Sequence, residues 1–102
     1  MASLDEARGR MLVLGRTNAQ ERVASFLAEL AARTGVPGAD GTVRVHIPIS
    51  RGEMADFLGL TIETVSRQLT RLKADGVIGF ARGDRDCTIT DPDALDAIVN
   101  PS

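Results

Sequence analysis

Between Ser50 and Lys73 two amphipathic helical patterns stand only three residues apart, a spacing that forces a tight corner between two short helices. Ser50 is a good N-cap, and Glu53 three residues on completes a capping box. Met54, Phe57 and Leu58 give the first helix its apolar face. Gly59 ends it, because only glycine takes the left-handed conformation cheaply. Leu60 then turns back toward the core, and Thr61 caps a second helix running to about Lys73. At about 100 degrees per residue, Ile62, Val65, Leu69 and Leu72 fall on one stripe and Glu63, Ser66, Arg67 and Thr70 on another. One stripe is core; the other is a polar face free to touch something else.

The remaining patterns supply a small scaffold around that corner. Val23, Phe26, Leu27, Leu30 and Ala31 recur at helical spacing from Asn18 to Arg33, with Glu21, Arg22 and Glu29 opposite. Leu4 to Leu14 reads as a further helical piece, Gly15 as a hinge, and Thr17 or Asn18 as the cap that follows. Gly35 to Gly41 is a loop, after which Val43, Val45 and Ile47 alternate with Arg44 and His46 as a half-buried strand closed by Pro48. Gly76 is a C-cap. Val77 to Ala81 and Cys87 to Thr90 are short strands around the charged turn Arg82, Gly83, Asp84, Arg85, Asp86, which makes a hairpin, the candidate wing. Asp91 before Pro92 opens a last short helix through Leu95 and Ile98. Two helices joined by a glycine turn and followed by a hairpin predict an α+β, mainly α, winged helix-turn-helix, with a three-helix core and a small sheet.

Length and composition narrow the function. The 102 residues fit one domain, and 43% hydrophobic residues with 25% charged is ordinary globular composition. Nothing approaches the roughly 18 consecutive apolar residues needed to span a bilayer, so a cytoplasmic protein without membrane contact is expected. A single cysteine, Cys87, rules out an internal disulfide, and with one histidine, His46, there is no zinc-ligand spacing. No cofactor or metal is expected in this domain. The net charge of −2 counts against simple nucleic-acid binding, so local charge has to carry that argument. With three phenylalanines and no Tyr or Trp, a stacking platform for single-stranded bases is not expected.

The polar stripe of the second helix carries the functional reading. Glu63, Ser66 and Arg67 project together near its N-terminal half, the part of such helices that enters the major groove. Arg67 can bond guanine O6 and N7, Glu63 can accept from cytosine N4, and Ser66 can serve several bases. Thr70 lies on the same face. Ile62 sits at its edge, where burial preference favours the core and the alternative is a thymine methyl. Phosphate contacts are expected from Ser50 and Arg51, from the Thr61 and Thr64 hydroxyls, from Arg82 or Arg85 in the wing, and more weakly from Arg71 and Lys73. Four to six such contacts imply a log-log salt slope of roughly −4 to −5 per monomer, doubled in a dimer.

The run from Ser50-Arg51-Gly52-Glu53 through Gly59-Leu60-Thr61-Ile62-Glu63-Thr64-Val65-Ser66-Arg67 resembles the signature of Crp/Fnr transcription regulators. The likeness extends back through Leu14-Gly15-Arg16 and Ala19 to Ala24. Glu63 with Ser66 and Arg67 is similar to the Fnr and FixK branch rather than the cyclic-AMP branch, where glycine commonly replaces Ser66. The resemblance implies residues 1–15 as the tail of a dimerisation helix with its hinge and 16–102 as the DNA-binding domain. It also implies a homodimer on inverted TTGAT-like half-sites, with double-stranded DNA as partner and RNA polymerase as a further candidate. The family's N-terminal effector-binding barrel is absent from these residues, so any sensed signal lies elsewhere.

Simpler readings compete with each feature. His46 fits a structural or surface histidine, and Cys87 a small buried hydrophobe, with a redox role only if exposed. Asp84, Asp86, Asp91 and Asp93 lack the remaining ligands of a calcium loop and fit turn and cap chemistry. Asp84 and Asp86 also weaken the pull of Arg85 on DNA. The acidic balance suits a winged helix that contacts protein instead of DNA, which predicts no salt-dependent duplex binding. No nucleophile elbow, phosphate loop or metal pair supports an enzyme.

Overall fold

A computed structural model describes residues 18–80 and 85–100. The hinge at Gly15, the helical piece before it and wing residue Arg82 lie outside the described residues. Helix α1 (Ala19–Thr34) begins where Asn18 accepts the Glu21 N–H at 2.8 Å and Glu21 returns a carboxylate oxygen to the Asn18 N–H at 2.9 Å. Of the two candidate caps, Asn18 therefore fills the role. Strands β1 (Val36–Pro37) and β2 (Val43–His46) follow, then α2 (Arg51–Leu58), α3 (Ile62–Ala74), β3 (Ile78–Phe80), β4 (Asp86–Ile89) and α4 (Pro92–Val99).

The four strands form one antiparallel sheet in the order β1-β2-β4-β3. Strand β4 is central, pairing Val45 with Cys87 on one side and Phe80 with Cys87 on the other. Its alternation sends Cys87 and Ile89 inward to meet the helices. The core joins Val23 and Leu27 of α1, Met54 of α2, Val65, Leu69 and Leu72 of α3, Val45, Ile47 and Ile78 from the sheet region and Leu95 of α4. Full burial of each large aliphatic side chain contributes about 1.5–3 kcal/mol, and that packing fixes the four helices and the sheet around one core.

The C-terminal ends of α2 and α3 both close by backbone geometry. At Gly59 φ is +71°, and the Leu60 N–H reaches back to the Ala55 carbonyl at 2.8 Å. This paired-bond motif turns the chain with no side chain involved. At the end of α3, Gly76 and Val77 repeat it, their N–H groups bonding the Lys73 and Leu72 carbonyls.

Four expectations need correction. The loop after α1 contains β1, a two-residue strand held to Val43 and Arg44, too short to show an alternation. Phe57, expected in the core, is 73% exposed, and Met54 and Ala55 are buried in its place. Met54, Phe57 and Leu58 share one side of the helix, but Phe57 lines an open groove between α1 and α2, where its ring packs edge-on against Phe26 at 5.9 Å. Ile62 is 55% exposed, because at the first position of α3 its side chain clears the core that holds Val65 and Leu69. Arg22, placed on the outer face of α1, is half-buried and donates to the Leu58 carbonyl at 3.2 Å, which fastens α1 to the end of α2.

Candidate nucleic-acid interface

Helix α3 buries Val65, Leu69 and Leu72 and turns its other side to solvent. On that side Glu63, Ser66, Arg67, Thr70, Arg71 and Ala74 line one shallow depression along the helix. The three residues expected to read bases therefore stand together, Glu63 and Arg67 exposed and Ser66 half-buried. Thr70 continues the row. Arg71, expected only as a phosphate contact, lines the same depression; its spacing of four from Arg67 was the available signal.

Ile62 stands at the start of the helix, beside α2. A Cβ built on Gly52 would lie 3.5 Å from the Ile62 Cδ1, so the isoleucine rests over that glycine with its outer half free. An exposed aliphatic group beside Glu63 is the right chemistry for a thymine methyl.

The hydroxyls expected at phosphates are partly committed. Thr61 Oγ1 accepts the Thr64 N–H at 3.1 Å and donates to Thr64 Oγ1 at 2.9 Å, leaving the Thr64 hydroxyl proton to give away. Ser50 Oγ likewise accepts the Glu53 N–H at 3.1 Å, and its own proton is shared with the Glu53 carboxylate. The Ser50 backbone N–H on Glu53, seconded by the Ser50 side chain, holds the Glu53 carboxyl below its ordinary range. Glu53 thus remains an anion among the cations at the head of α2. Its charge partly offsets theirs.

Those cations differ in setting. Arg51 is half-buried, its Cζ 5.4 Å from the centre of the Phe80 ring. Nothing in the sequence brought Phe80 to this site, since it lies 29 positions from Arg51 and only the fold joins them. Arg85 is exposed, and its carbonyl accepts the Ile47 N–H at 2.7 Å, tying the base of the hairpin to the end of β2. Arg71 and Lys73 are exposed in the last turn of α3, where positive charge also suits the helix dipole.

The other chemically active side chains stand on the sheet. His46 Nδ1 sits 2.9 Å from Asp86 Oδ1, a cross-strand pair in which both side chains are exposed. Cys87 is 1% exposed, and burial pushes its thiol up to about 11. That position matches a small buried hydrophobe and removes the condition set for a redox role. Among the described residues, no three His, Cys, Asp or Glu are grouped to hold a metal ion.

Residues 21–98 match the Crp-like helix-turn-helix domain. The chain belongs to that family. Over 84 residues it is 50% identical to the nitrogen fixation regulation protein FixK of Azorhizobium caulinodans, covering 82% of this chain and 34% of that protein. It is 48% identical over 91 residues to the transcriptional activator protein FnrL of Cereibacter sphaeroides, covering 86% of this chain and 36% of that one. These relatives agree with the Fnr and FixK side of the family that the Glu63, Ser66, Arg67 pattern indicated. Among solved structures, FixK2 from Bradyrhizobium japonicum superposes with a TM-score of 0.80 at 39% identity, over 97% of this chain and 47% of that one. The winged helix-turn-helix fold is the one that this family model and structure share with the chain. The chain spans about a third of the length of these two curated relatives.

Proposed function

We propose that the chain is the DNA-reading output domain of a Crp/Fnr-type transcription regulator, with α3 lying in the major groove of TTGAT-like inverted repeats. The observation that carries this reading is that Glu63, Ser66 and Arg67 line one depression on the free side of a helix whose other side is locked into the core. A straight helix anchored in this way can approach base edges without rearranging. Arg67 reads guanine, Glu63 accepts from cytosine, Ser66 adapts to its neighbour, and Thr70 and Ile62 extend the row at either end. Ser50, Arg51, Thr61, Thr64, Arg71, Arg82 and Arg85 hold the phosphates and set the register.

Residues 1–15 form the tail of a dimerisation helix with its hinge, and 16–102 the DNA-binding domain. Two copies present their recognition helices about 34 Å apart, one turn of DNA, to the two half-sites. The regulator works in the cytoplasm, contacts RNA polymerase once bound, and performs no catalysis. Its relatives' names as regulators and activators support this, and among the described residues no helix is long and apolar enough to cross a membrane. The net charge of −2 is compatible with it, because the α3 depression itself is lined by Arg67 and Arg71 against the one carboxylate of Glu63.

Selection of bound duplexes from a random pool tests the reading. Recovery of paired TTGAT-like half-sites is the expected result. An unenriched pool, with no salt-dependent binding to any duplex, favours a protein-contact module instead.

A further inference from the structure

Arg51 is the first residue of α2, and its guanidinium does not extend into solvent along the helix axis. Its Cζ stands 5.4 Å from the centroid of the Phe80 ring, at the end of β3. A second observation agrees. The Arg51 charge is felt by the Cys87 thiol, where it opposes the effect of burial, and Cys87 is the cross-strand partner of Phe80. The cation therefore lies above the β3–β4 pair, bridging the head of the helix-turn-helix to the base of the hairpin. Both Arg51 and Phe80 are half-buried, which suits a contact made before any partner arrives.

We propose that Phe80 is a positioning residue for DNA binding, its ring holding the Arg51 guanidinium at the head of α2 so that the cation meets a phosphate already ordered. The proposal rests on the reading of Arg51 as a phosphate contact. An unrestrained arginine loses much rotamer freedom when it is fixed at an interface. An aromatic ring attracts the cation electrostatically and takes part of that loss in the free protein. The two contacts do not compete, because a guanidinium bonds phosphate through N–H groups in its plane and presents its face to a ring. The ring also makes the angle between hairpin and helix α2 part of the binding surface, since moving either one separates the pair.

The test is a set of affinity titrations of the 102-residue chain against salt, using a duplex with paired TTGAT half-sites. Phe80→Leu keeps an apolar side chain and removes the ring face; it should weaken binding by about two- to fivefold, with the salt slope unchanged. Phe80→Tyr, which restores a ring, should bind like the parent. Arg51→Ala should weaken binding and flatten the slope by roughly 0.9 per monomer. In the Arg51→Ala background Phe80→Leu should cost nothing further. If Phe80→Leu weakens that background as much as the parent, or leaves the parent unaffected, the positioning role is refuted. If Arg51→Ala changes neither affinity nor slope while the parent binds, the phosphate contact itself fails and the proposal falls with it. Should Phe80→Leu fail to fold, Phe80→Met carries the same comparison.

Discussion

Replacing Gly59 by alanine isolates the backbone cost of the corner between α2 and α3. At φ +71° and ψ 32° an L-residue pays about 1–2 kcal/mol for the left-handed conformation. Steric overlap adds little, because the nearest atom to the new Cβ is the flexible Arg22 Nη1 at 3.6 Å. The whole penalty is therefore conformational, and it falls on the residue that lets the Leu60 N–H reach the Ala55 carbonyl at 2.8 Å. For a domain of this size, 1 kcal/mol corresponds to roughly 4–8 °C in the melting midpoint. Gly59→Ala should lower that midpoint by about 4–16 °C in a circular-dichroism melt at fixed protein concentration. Gly59→Asn should lose clearly less, since asparagine tolerates the left-handed region. An alanine variant as stable as the parent, or an asparagine variant below alanine, would refute the argument.

Two further outcomes follow from burial. Leu72 is inaccessible and should cost about 2–5 kcal/mol when cut to alanine, whereas Ile62, 55% exposed, should cost no more than about 0.5 kcal/mol; equal losses in urea denaturation would contradict the placement of these two residues. The folded Cys87 thiol keeps its proton up to about 11, whereas an unfolded one releases it near 9.0, so the folded state binds the extra proton between those values. Its contribution is complete below pH 9 and is lost as pH rises through 11, and Cys87→Ala should flatten that part of the stability curve. An identical decline in parent and variant would show that other groups cause it.

The sequence was most informative where one local rule decided the outcome. Ser50 with Glu53, Gly59, and Asp91 before Pro92 each act through their own neighbours, and each stands where its chemistry places it, while the choice between Thr17 and Asn18 was decided by the Glu21 contact. The stripe of Val65, Leu69 and Leu72 was equally legible, because thirteen helical residues make a face unambiguous. The side of α2 was legible too, but not how deep each residue on it lies, and Phe57 lines a groove open to solvent. Ile62 stood at the boundary between faces, and its outward position depended on the space above Gly52, a property of two helices rather than one. The pairing of Arg51 with Phe80 and of Arg22 with the Leu58 carbonyl joins residues 29 and 36 positions apart, beyond the reach of any periodicity.

Everything in the functional account depends on whether α3 discriminates between base pairs or only adheres to duplex. Arg67→Ala, titrated against a TTGAT-containing duplex and a random duplex at matched salt, separates the two. A loss of about 1–3 kcal/mol confined to the specific duplex, with preference relaxed at one base pair, is the predicted result. An equal loss on both duplexes would mean that Arg67 touches phosphate and reads nothing.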